Sequence, residues 1–147
     1  MNNLTILGST GSIGCSALKV VTNLNRNNYP VKVKYLSTNS RIEALAEQVR
    51  EFNPSGVVIT DETKAKEFRK KFSFEKLEVL SGEAGLKEIA SREDYDTLVC
   101  ALVGFSGLAP VINAIKAGKK IALANKETLV VAGSIVNELL RKHKTDL

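Results

Sequence analysis

The segment from Leu4 to Gly14, L-T-I-L-G-S-T-G-S-I-G, places the strongest constraint on this chain. Four strand-like residues lead into glycines at positions 8, 11 and 14, and a helical pattern follows at once. A turn this short favours glycines, because glycine reaches positive φ freely and lets the backbone approach a ligand. The first amides of a helix lack partners within it and, with the helix dipole, form an anion site. The segment therefore predicts a diphosphate-binding turn of a dinucleotide fold.

The glycine spacing leaves an alternative open. It is G-x-x-G-x-x-G rather than the commoner G-x-G-x-x-G, and a glycine-rich turn without a ligand has the same appearance. The surroundings, a strand before and a helix after, are those that the dinucleotide motif requires. A phosphate loop of the G-x-x-x-x-G-K-[ST] type is excluded, because Cys15 and not a lysine follows Gly14.

Apolar runs alternate with helical patterns along the whole chain. Six segments read as short buried strands: Leu4–Leu7, Val31–Leu36, Gly56–Ile59, Leu77–Leu80, Thr97–Leu102 and Lys120–Leu123. The buried face of the first helix is predicted from helical spacing: Ile13, Ala17, Val20, Val21 and Leu24. The order of strands and helices predicts an α/β protein with a doubly wound, Rossmann-like parallel sheet and helices on both faces.

Helix boundaries and the chain end carry further expectations. Asp61 and Ser81 are predicted to cap the helices that follow them, and Asn53 with Pro54 ends another. The chain stops at Leu147, just past a helix, where a further strand would be due. We therefore expect residues 1–147 to form one domain that is a fragment of a longer protein.

Composition narrows the class of protein. Hydrophobic content of 44% and charged content of 25% are typical of a soluble globular domain. The net charge of +5 comes from scattered lysines and arginines, which suits a phosphorylated ligand better than nucleic acid. No apolar segment reaches the length of a membrane span or resembles a signal peptide. Cys15 and Cys100 have no cysteine or histidine at metal spacing, so we expect reduced thiols in a cytoplasmic protein.

The tip of the second strand indicates which dinucleotide is bound. An acidic residue there would select the ribose hydroxyl of NAD, but the tip from Leu36 to Arg41 reads L-S-T-N-S-R. Hydroxyls, an amide and an arginine suit a 2′-phosphate, so NADP is favoured. Ser40 could instead cap the helix that begins near Arg41, and the two roles are compatible.

Polar residues also follow the later strands. The run from Leu123 to Glu127 turns from apolar to charged, and the ends of parallel strands line the ligand crevice. Asn125 and Glu127 could equally be a cap and a favourable first-turn charge. Lys126 is electrostatically unfavourable in a first turn, which favours a ligand role. The loop from Val103 to Gly107 is either a plain loop or an approach to the nicotinamide half.

No complete catalytic constellation is visible. His143 in the last helix is typical of a dipole partner rather than a base, and no carboxylate cluster suits a divalent metal. We therefore expect neither catalytic residues nor metal ligands within these 147 residues.

Three motifs together resemble one family. G-S-T-G-S-I-G at 8–14, A-L-V-G at 101–104 with Gly107-Leu108 after it, and L-A-N-K-E at 123–127 are similar to the amino-terminal domain of 1-deoxy-D-xylulose 5-phosphate reductoisomerases. The resemblance covers essentially the whole chain. It implies an NADPH-dependent enzyme that rearranges 1-deoxy-D-xylulose 5-phosphate and reduces the product to 2-C-methyl-D-erythritol 4-phosphate, the committed step of non-mevalonate isoprenoid biosynthesis.

The resemblance also implies roles for individual residues. The residues expected to bind the cofactor are Thr10, Gly11, Ser12 and Ile13 at its phosphates, Thr38, Asn39 and Ser40 at its 2′-phosphate, and Asn125 and Glu127 elsewhere. Lys126 is expected to reach the sugar phosphate substrate. At the tip of the second strand the family commonly has Gly-Lys-Asn. The matching residues 38–40 of this chain include no lysine, and Arg41 could supply the missing positive charge.

Family members are much longer than this chain. The resemblance implies that a D-S-E motif binding Mg²⁺ or Mn²⁺, a flexible lid and a carboxy-terminal domain lie beyond Leu147. It further implies that the whole protein is a homodimer. We also expect this fragment to bind NADPH weakly and to be unable to turn over. Two other interpretations stay open: the cofactor domain of a homoserine- or aspartate-semialdehyde-type dehydrogenase, and a regulatory module that senses NADPH or another nucleotide.

Overall fold

The computed structural model describes residues 2–124 and 126–147, in which six strands alternate with six helices. The strands are β1 (Asn2–Leu7), β2 (Val31–Thr38), β3 (Gly56–Ile59), β4 (Glu78–Ser81), β5 (Thr97–Cys100) and β6 (Lys120–Leu123). The helices are α1 (Ser12–Arg26), α2 (Ile42–Phe52), α3 (Glu62–Lys71), α4 (Gly82–Ala90), α5 (Leu108–Lys116) and α6 (Lys126–His143).

The six strands form one parallel sheet in the order β4-β3-β2-β1-β5-β6. The first four strands extend to one side of β1, and β5 and β6 extend to the other, so the winding reverses between β1 and β5. In open α/β sheets, ligands bind outside the carboxyl ends of the strands at such a switch point. The prediction of a doubly wound, Rossmann-like α/β fold is confirmed.

Helices cover both faces of the sheet, and each face carries its own apolar core. One core joins α4, α5 and α6 to the sheet and includes Leu86, Ile89, Val111, Ile115 and Val136. The other joins α1, α2 and α3 to it and includes Leu18, Ile42, Leu45, Val49 and Phe68. Strands buried on both faces consist of nearly continuous apolar residues, and this explains the short runs seen in the sequence.

The predicted orientation of α1 is wrong in part. Ile13 and Val20 are 52% and 55% exposed, whereas the buried residues of the helix are Gly14, Leu18 and Val21. These three residues also have helical spacing. With this face buried, Gly14 faces the loop that precedes the helix. Hydrophobicity alone predicted that Ile13 would be buried. Gly14 is buried instead, because the loop backbone comes so close to the helix that only a glycine fits there.

Three predictions of helix ends have mixed outcomes. Asp61 caps α3 by accepting a hydrogen bond from the Lys64 amide at 3.0 Å, and α2 ends before Asn53, which has a left-handed φ of 47°. The prediction for Ser81 is wrong, because its side chain makes no capping bond at the start of α4. Over the described ranges, no helix is both long and apolar enough to cross a bilayer.

Candidate functional site

The glycine loop between β1 and α1 is folded tightly onto its surroundings. Gly8 has a φ of +81°, and a Cβ there would lie 2.7 Å from the Ala101 carbonyl oxygen. A Cβ on Gly14 would lie 2.2 Å from the Gly8 carbonyl oxygen. Both distances are shorter than an ordinary Cβ contact, so a side chain at either position would force the backbone to shift. A Cβ on Gly11 would meet the same oxygen at 3.5 Å, an ordinary contact.

The amino end of α1 presents unpaired main-chain NH groups. Gly11 precedes the helix without a side-chain cap, and the Cys15 amide makes the first helical bond, to the Gly11 carbonyl at 2.9 Å. The amides of Thr10, Ser12 and Ile13 have no hydrogen-bond partner among the residues described. The first turn also lacks acidic residues. Free amides and the positive end of the helix dipole together suit an anionic group.

The second strand holds the glycine loop in place. The Ser9 amide donates to the Ser37 carbonyl at 2.8 Å, and the Gly8 amide donates to the Ser37 hydroxyl at 2.8 Å. The hydroxyls of Thr10 and Thr38 lie 2.6 Å apart. The loop and the end of β2 therefore form one hydrogen-bonded unit.

The predicted 2′-phosphate residues at the tip of β2 fall into two groups. Thr38 is the last residue of the strand, and it is only 2% exposed, with its hydroxyl on Thr10. Its side chain therefore lies beneath the loop. Asn39, Ser40 and Arg41 are exposed. The Arg41 guanidinium donates to the Thr10 carbonyl at 3.3 Å, which brings its charge to the edge of the glycine loop.

Ser40 does not cap α2 with its side chain. The hydrogen bond at this helix start is instead made by its carbonyl oxygen, which accepts from the Ile42 amide at 2.9 Å. The Asn39 side-chain oxygen accepts from the Thr60 hydroxyl at 2.8 Å, so this residue is tied to the end of β3. The Ser40 hydroxyl makes no hydrogen bond to the described residues. Helix capping therefore does not compete with the predicted role of this hydroxyl in phosphate binding.

The sheet brings the later strand ends alongside the loop. Leu7, Cys100 and Leu123 are register partners across β1, β5 and β6. Adjacent strands lie about 4.8 Å apart, so the ends of β1 and β6 are about 10 Å apart. Lys126 and Glu127 are exposed in the first turn of α6 at this edge. Asn125, which was predicted to contact the cofactor, lies outside the described residues.

The loop after β5 adds an apolar surface to the same edge. Val103 and Phe105 are 86% and 62% exposed, and the Ser106 hydroxyl donates to the Val103 carbonyl at 2.8 Å. Beneath the loop, burial raises the pKa of the Cys100 thiol, which keeps it neutral. The exposed apolar side chains are compatible with both interpretations of this loop, a plain loop and a contact with a nicotinamide ring.

A charged network lies at the opposite edge of the sheet. Arg92 donates to Glu78 at the start of β4, and hydrogen bonds from Arg92 lower the pKa of that carboxyl. The Tyr35 hydroxyl donates to Asp94 at 2.8 Å, while burial raises the pKa of Tyr35. Because Glu78 begins its strand, these groups are far from the glycine loop. In the ranges 2–124 and 126–147, no group of three or more metal-binding side chains could hold an ion.

One residue of the site had no signal in the sequence. Gln48, near the end of α2, accepts from the Ser9 hydroxyl at 2.8 Å and donates to the Ser9 carbonyl at 2.9 Å. A single glutamine within an amphipathic helix is usually a solvated residue. Gln48 differs from such a residue only because α2 packs against the glycine loop and brings its side chain to Ser9.

Comparisons with known proteins agree on one family. The sequence model of 1-deoxy-D-xylulose 5-phosphate reductoisomerase matches residues 4–133. The enzyme of that name from Chloroherpeton thalassium is 46% identical over 145 residues, which cover 97% of this chain and 36% of the relative.

Solved structures give the same result. The reductoisomerase from Zymomonas mobilis in complex with NADPH has a TM-score of 0.90 and 34% identity, covering 99% of this chain and 38% of that one. DOX-P reductoisomerase in complex with magnesium has a TM-score of 0.90 and 37% identity, covering 100% of this chain and 36% of that one. The chain thus spans little more than a third of the length of these relatives. It belongs to the 1-deoxy-D-xylulose 5-phosphate reductoisomerase family, and not to the homoserine or aspartate-semialdehyde dehydrogenases.

Proposed function

We propose that residues 1–147 are the NADPH-binding domain of an enzyme that converts 1-deoxy-D-xylulose 5-phosphate to 2-C-methyl-D-erythritol 4-phosphate in non-mevalonate isoprenoid biosynthesis. The observation that carries the proposal is the set of unpaired amides at Thr10, Ser12 and Ile13, next to an exposed arginine at the tip of β2. Free amides at a helix start suit a diphosphate and an arginine at the tip of β2 suits a 2′-phosphate, and NADPH carries both groups. The name and the bound NADPH of the relatives support the same proposal.

Each part of the cofactor has candidate partners in this chain. The amides of Thr10, Ser12 and Ile13 bind the diphosphate, and the absence of a Cβ on Gly11 leaves room for its approach. Asn39, Ser40 and Arg41 bind the 2′-phosphate through an amide, a hydroxyl and a guanidinium. The side chains of Thr10 and Thr38 lie mainly beneath the cofactor, because their hydroxyls bond to each other.

The nicotinamide end and the substrate lie over the later strands. Asn125 and Glu127 contact the cofactor, and Lys126 binds the phosphate of the sugar substrate with its exposed ammonium group. NADPH, when bound, supplies the hydride for the reduction. The residues of this chain bind and orient the two ligands.

The metal and the assembly belong to the whole protein. The described residues do not provide a donor set for Mg²⁺ or Mn²⁺, so we place the metal ligands in the parts of the relatives that this chain does not span. We propose that the whole protein is a homodimer. Two free cysteines are consistent with the cytoplasm as its compartment.

A fluorescence titration of the 147-residue chain with NADPH and with NADH tests the proposal. We expect NADPH to bind about tenfold tighter, since one charge-assisted 2′-phosphate contact is worth about 1.4 kcal/mol. Equal affinities would contradict the 2′-phosphate assignment, and no binding of either would contradict the cofactor site. The chain with substrate and Mn²⁺ should not oxidise NADPH, and steady oxidation would show that catalytic residues lie within it. Binding by a whole protein that has no activity would favour the NADPH-sensing module instead.

A further inference from the structure

We propose that Gln48 is a positioning residue that aims the diphosphate-binding loop at the cofactor. Its carboxamide contacts two polar groups of Ser9: Oε1 accepts from the Ser9 hydroxyl at 2.8 Å, and Nε2 donates to the Ser9 carbonyl at 2.9 Å. The two residues are 39 positions apart in the chain. Gln48 is thus the side chain through which α2 holds the centre of the loop.

The carbonyl contact determines where the next amide points. A trans peptide unit is planar, so the Ser9 carbonyl and the Thr10 N–H point in opposite directions. Because Gln48 holds the carbonyl toward α2, the Thr10 N–H is turned away from α2. That N–H has no hydrogen-bond partner in the part of the chain that the structure describes. It is the first of the unpaired amides assigned to the diphosphate.

Two observations separate this role from general packing. Helix α2 is already anchored by Ile42, Leu45 and Ala46, which are fully buried, whereas Gln48 is only half-buried. Both of its short hydrogen bonds go to Ser9, and its remaining contact is a long one to the Cys15 sulfur at 3.9 Å. The helix therefore does not depend on Gln48 for its place. The Ser9 carbonyl does depend on it, because the only other donor to that oxygen among the described residues is the Cys15 thiol at a long 3.6 Å.

The inference rests on the proposed NADPH site, and its test separates the two. Gln48→Leu removes both bonds, and Gln48→Glu keeps the size and the acceptor for the Ser9 hydroxyl but loses the donor to the Ser9 carbonyl. Thr22→Val is the matched control, because it removes one hydroxyl bond to a backbone carbonyl, at 3.2 Å within α1, without touching the loop. Each protein is titrated with NADPH and with adenosine 2′-monophosphate, which has no diphosphate, and is melted without ligand.

We expect both Gln48 variants to raise the Kd for NADPH about tenfold, because a loop that is correctly oriented a tenth of the time weakens binding by that factor. The Kd for adenosine 2′-monophosphate should stay within about twofold, as should both Kd values of Thr22→Val. Unchanged NADPH affinity in the Gln48 variants overturns the inference alone, and so does an equal loss for both ligands, which would indicate general damage. If Gln48→Leu does not fold, Gln48→Glu decides by the same criteria. If the parent chain binds no NADPH, the proposed function fails and the inference fails with it.

Discussion

Replacing Gly14 by alanine tests whether backbone packing holds the glycine loop over the start of α1. The new Cβ would lie 2.2 Å from the Gly8 carbonyl oxygen and 2.6 Å from the Ser9 Cα. Both atoms belong to the backbone, so neither can move aside as the end of a flexible side chain. The loop or the helix must shift by roughly 1 Å, in a region packed as densely as a crystal.

The expected destabilisation follows from this clash. Overpacking typically costs about 1–3 kcal/mol, and two backbone contacts place Gly14→Ala at the upper end of that range. Alanine's higher helix propensity offsets about 1 kcal/mol. The net loss in free energy of unfolding is therefore about 2 kcal/mol, which lowers Tm by about 6 °C for a chain of this size.

Gly11→Ala is the matched control and has the opposite expected profile. Its Cβ would meet the Gly8 carbonyl oxygen at an ordinary 3.5 Å, and Gly11 has a φ of −77° that any residue adopts. Its cost is the weaker helix cap, at most about 1 kcal/mol. The methyl group nevertheless occupies the space over the free amides, so the Kd for NADPH should rise at least about tenfold.

Thermal unfolding followed by circular dichroism, together with fluorescence titration of NADPH, measures both effects. The reasoning requires Gly14→Ala to melt several degrees below Gly11→Ala, and Gly11→Ala to bind NADPH less tightly than the parent. If the two variants melt together, the close backbone approach is not what holds the loop. If Gly11→Ala binds like the parent, the diphosphate does not pass over position 11.

Four further outcomes are expected. Arg41→Ala should weaken NADPH binding about tenfold while NADH affinity, the internal control, is unchanged, because only NADPH carries the 2′-phosphate. The 2′-phosphorylated ADP-ribose fragment should bind this chain within about threefold of intact NADPH, as measured by competition, because the firmly placed contacts are those of the adenine half. Tm should fall as the pH drops below the ordinary Glu78 pKa of 4.5, because hydrogen bonds from Arg92 lower that pKa in the folded state and this stabilisation is lost on protonation. Arg92→Leu should flatten that fall. Lys119→Met should cost about 2 kcal/mol in urea unfolding, because the buried ammonium donates to the Tyr95 carbonyl at 2.6 Å.

Much of the fold could be read from the sequence, because buried parallel strands have a distinctive composition. Two strands, Gly56–Ile59 and Lys120–Leu123, were predicted to the residue. The fifth strand ends at Cys100 and not at Leu102, because the chain leaves the sheet there while its residues stay apolar. An apolar run alone does not distinguish a strand from an apolar loop that lines a crevice.

The candidate site was predictable where it depends on local backbone and not where it depends on distant packing. The free amides at residues 10, 12 and 13 follow from a strand, glycines and a helix in succession, all within one short segment. The Gly11 amide is the exception, because it donates to the Gly8 carbonyl at 3.3 Å. The burial of Thr38 depends on its register with Ile59 in β3, which extends β2 beyond its apolar run. Gln48 and Ser9 meet only after α2 has folded onto the sheet, and no local pattern encodes that contact.

The contacts around the loop explain how a glycine-rich segment can bind an anion firmly. Glycines make a chain flexible, and ordering a flexible loop on binding would reduce the affinity. Here the ordering occurs when the domain folds, because Ser37 holds the Gly8 amide and Gln48 holds Ser9. The side chains at Val103, Phe105 and Lys126 have no comparable restraint from the described residues, and they are exposed. The two halves of the proposed site therefore differ in kind. The half over β1 and β2 is held in place by hydrogen bonds before the diphosphate and 2′-phosphate that we propose for it arrive, whereas the half over β5 and β6 presents groups that are free to adjust to a ligand.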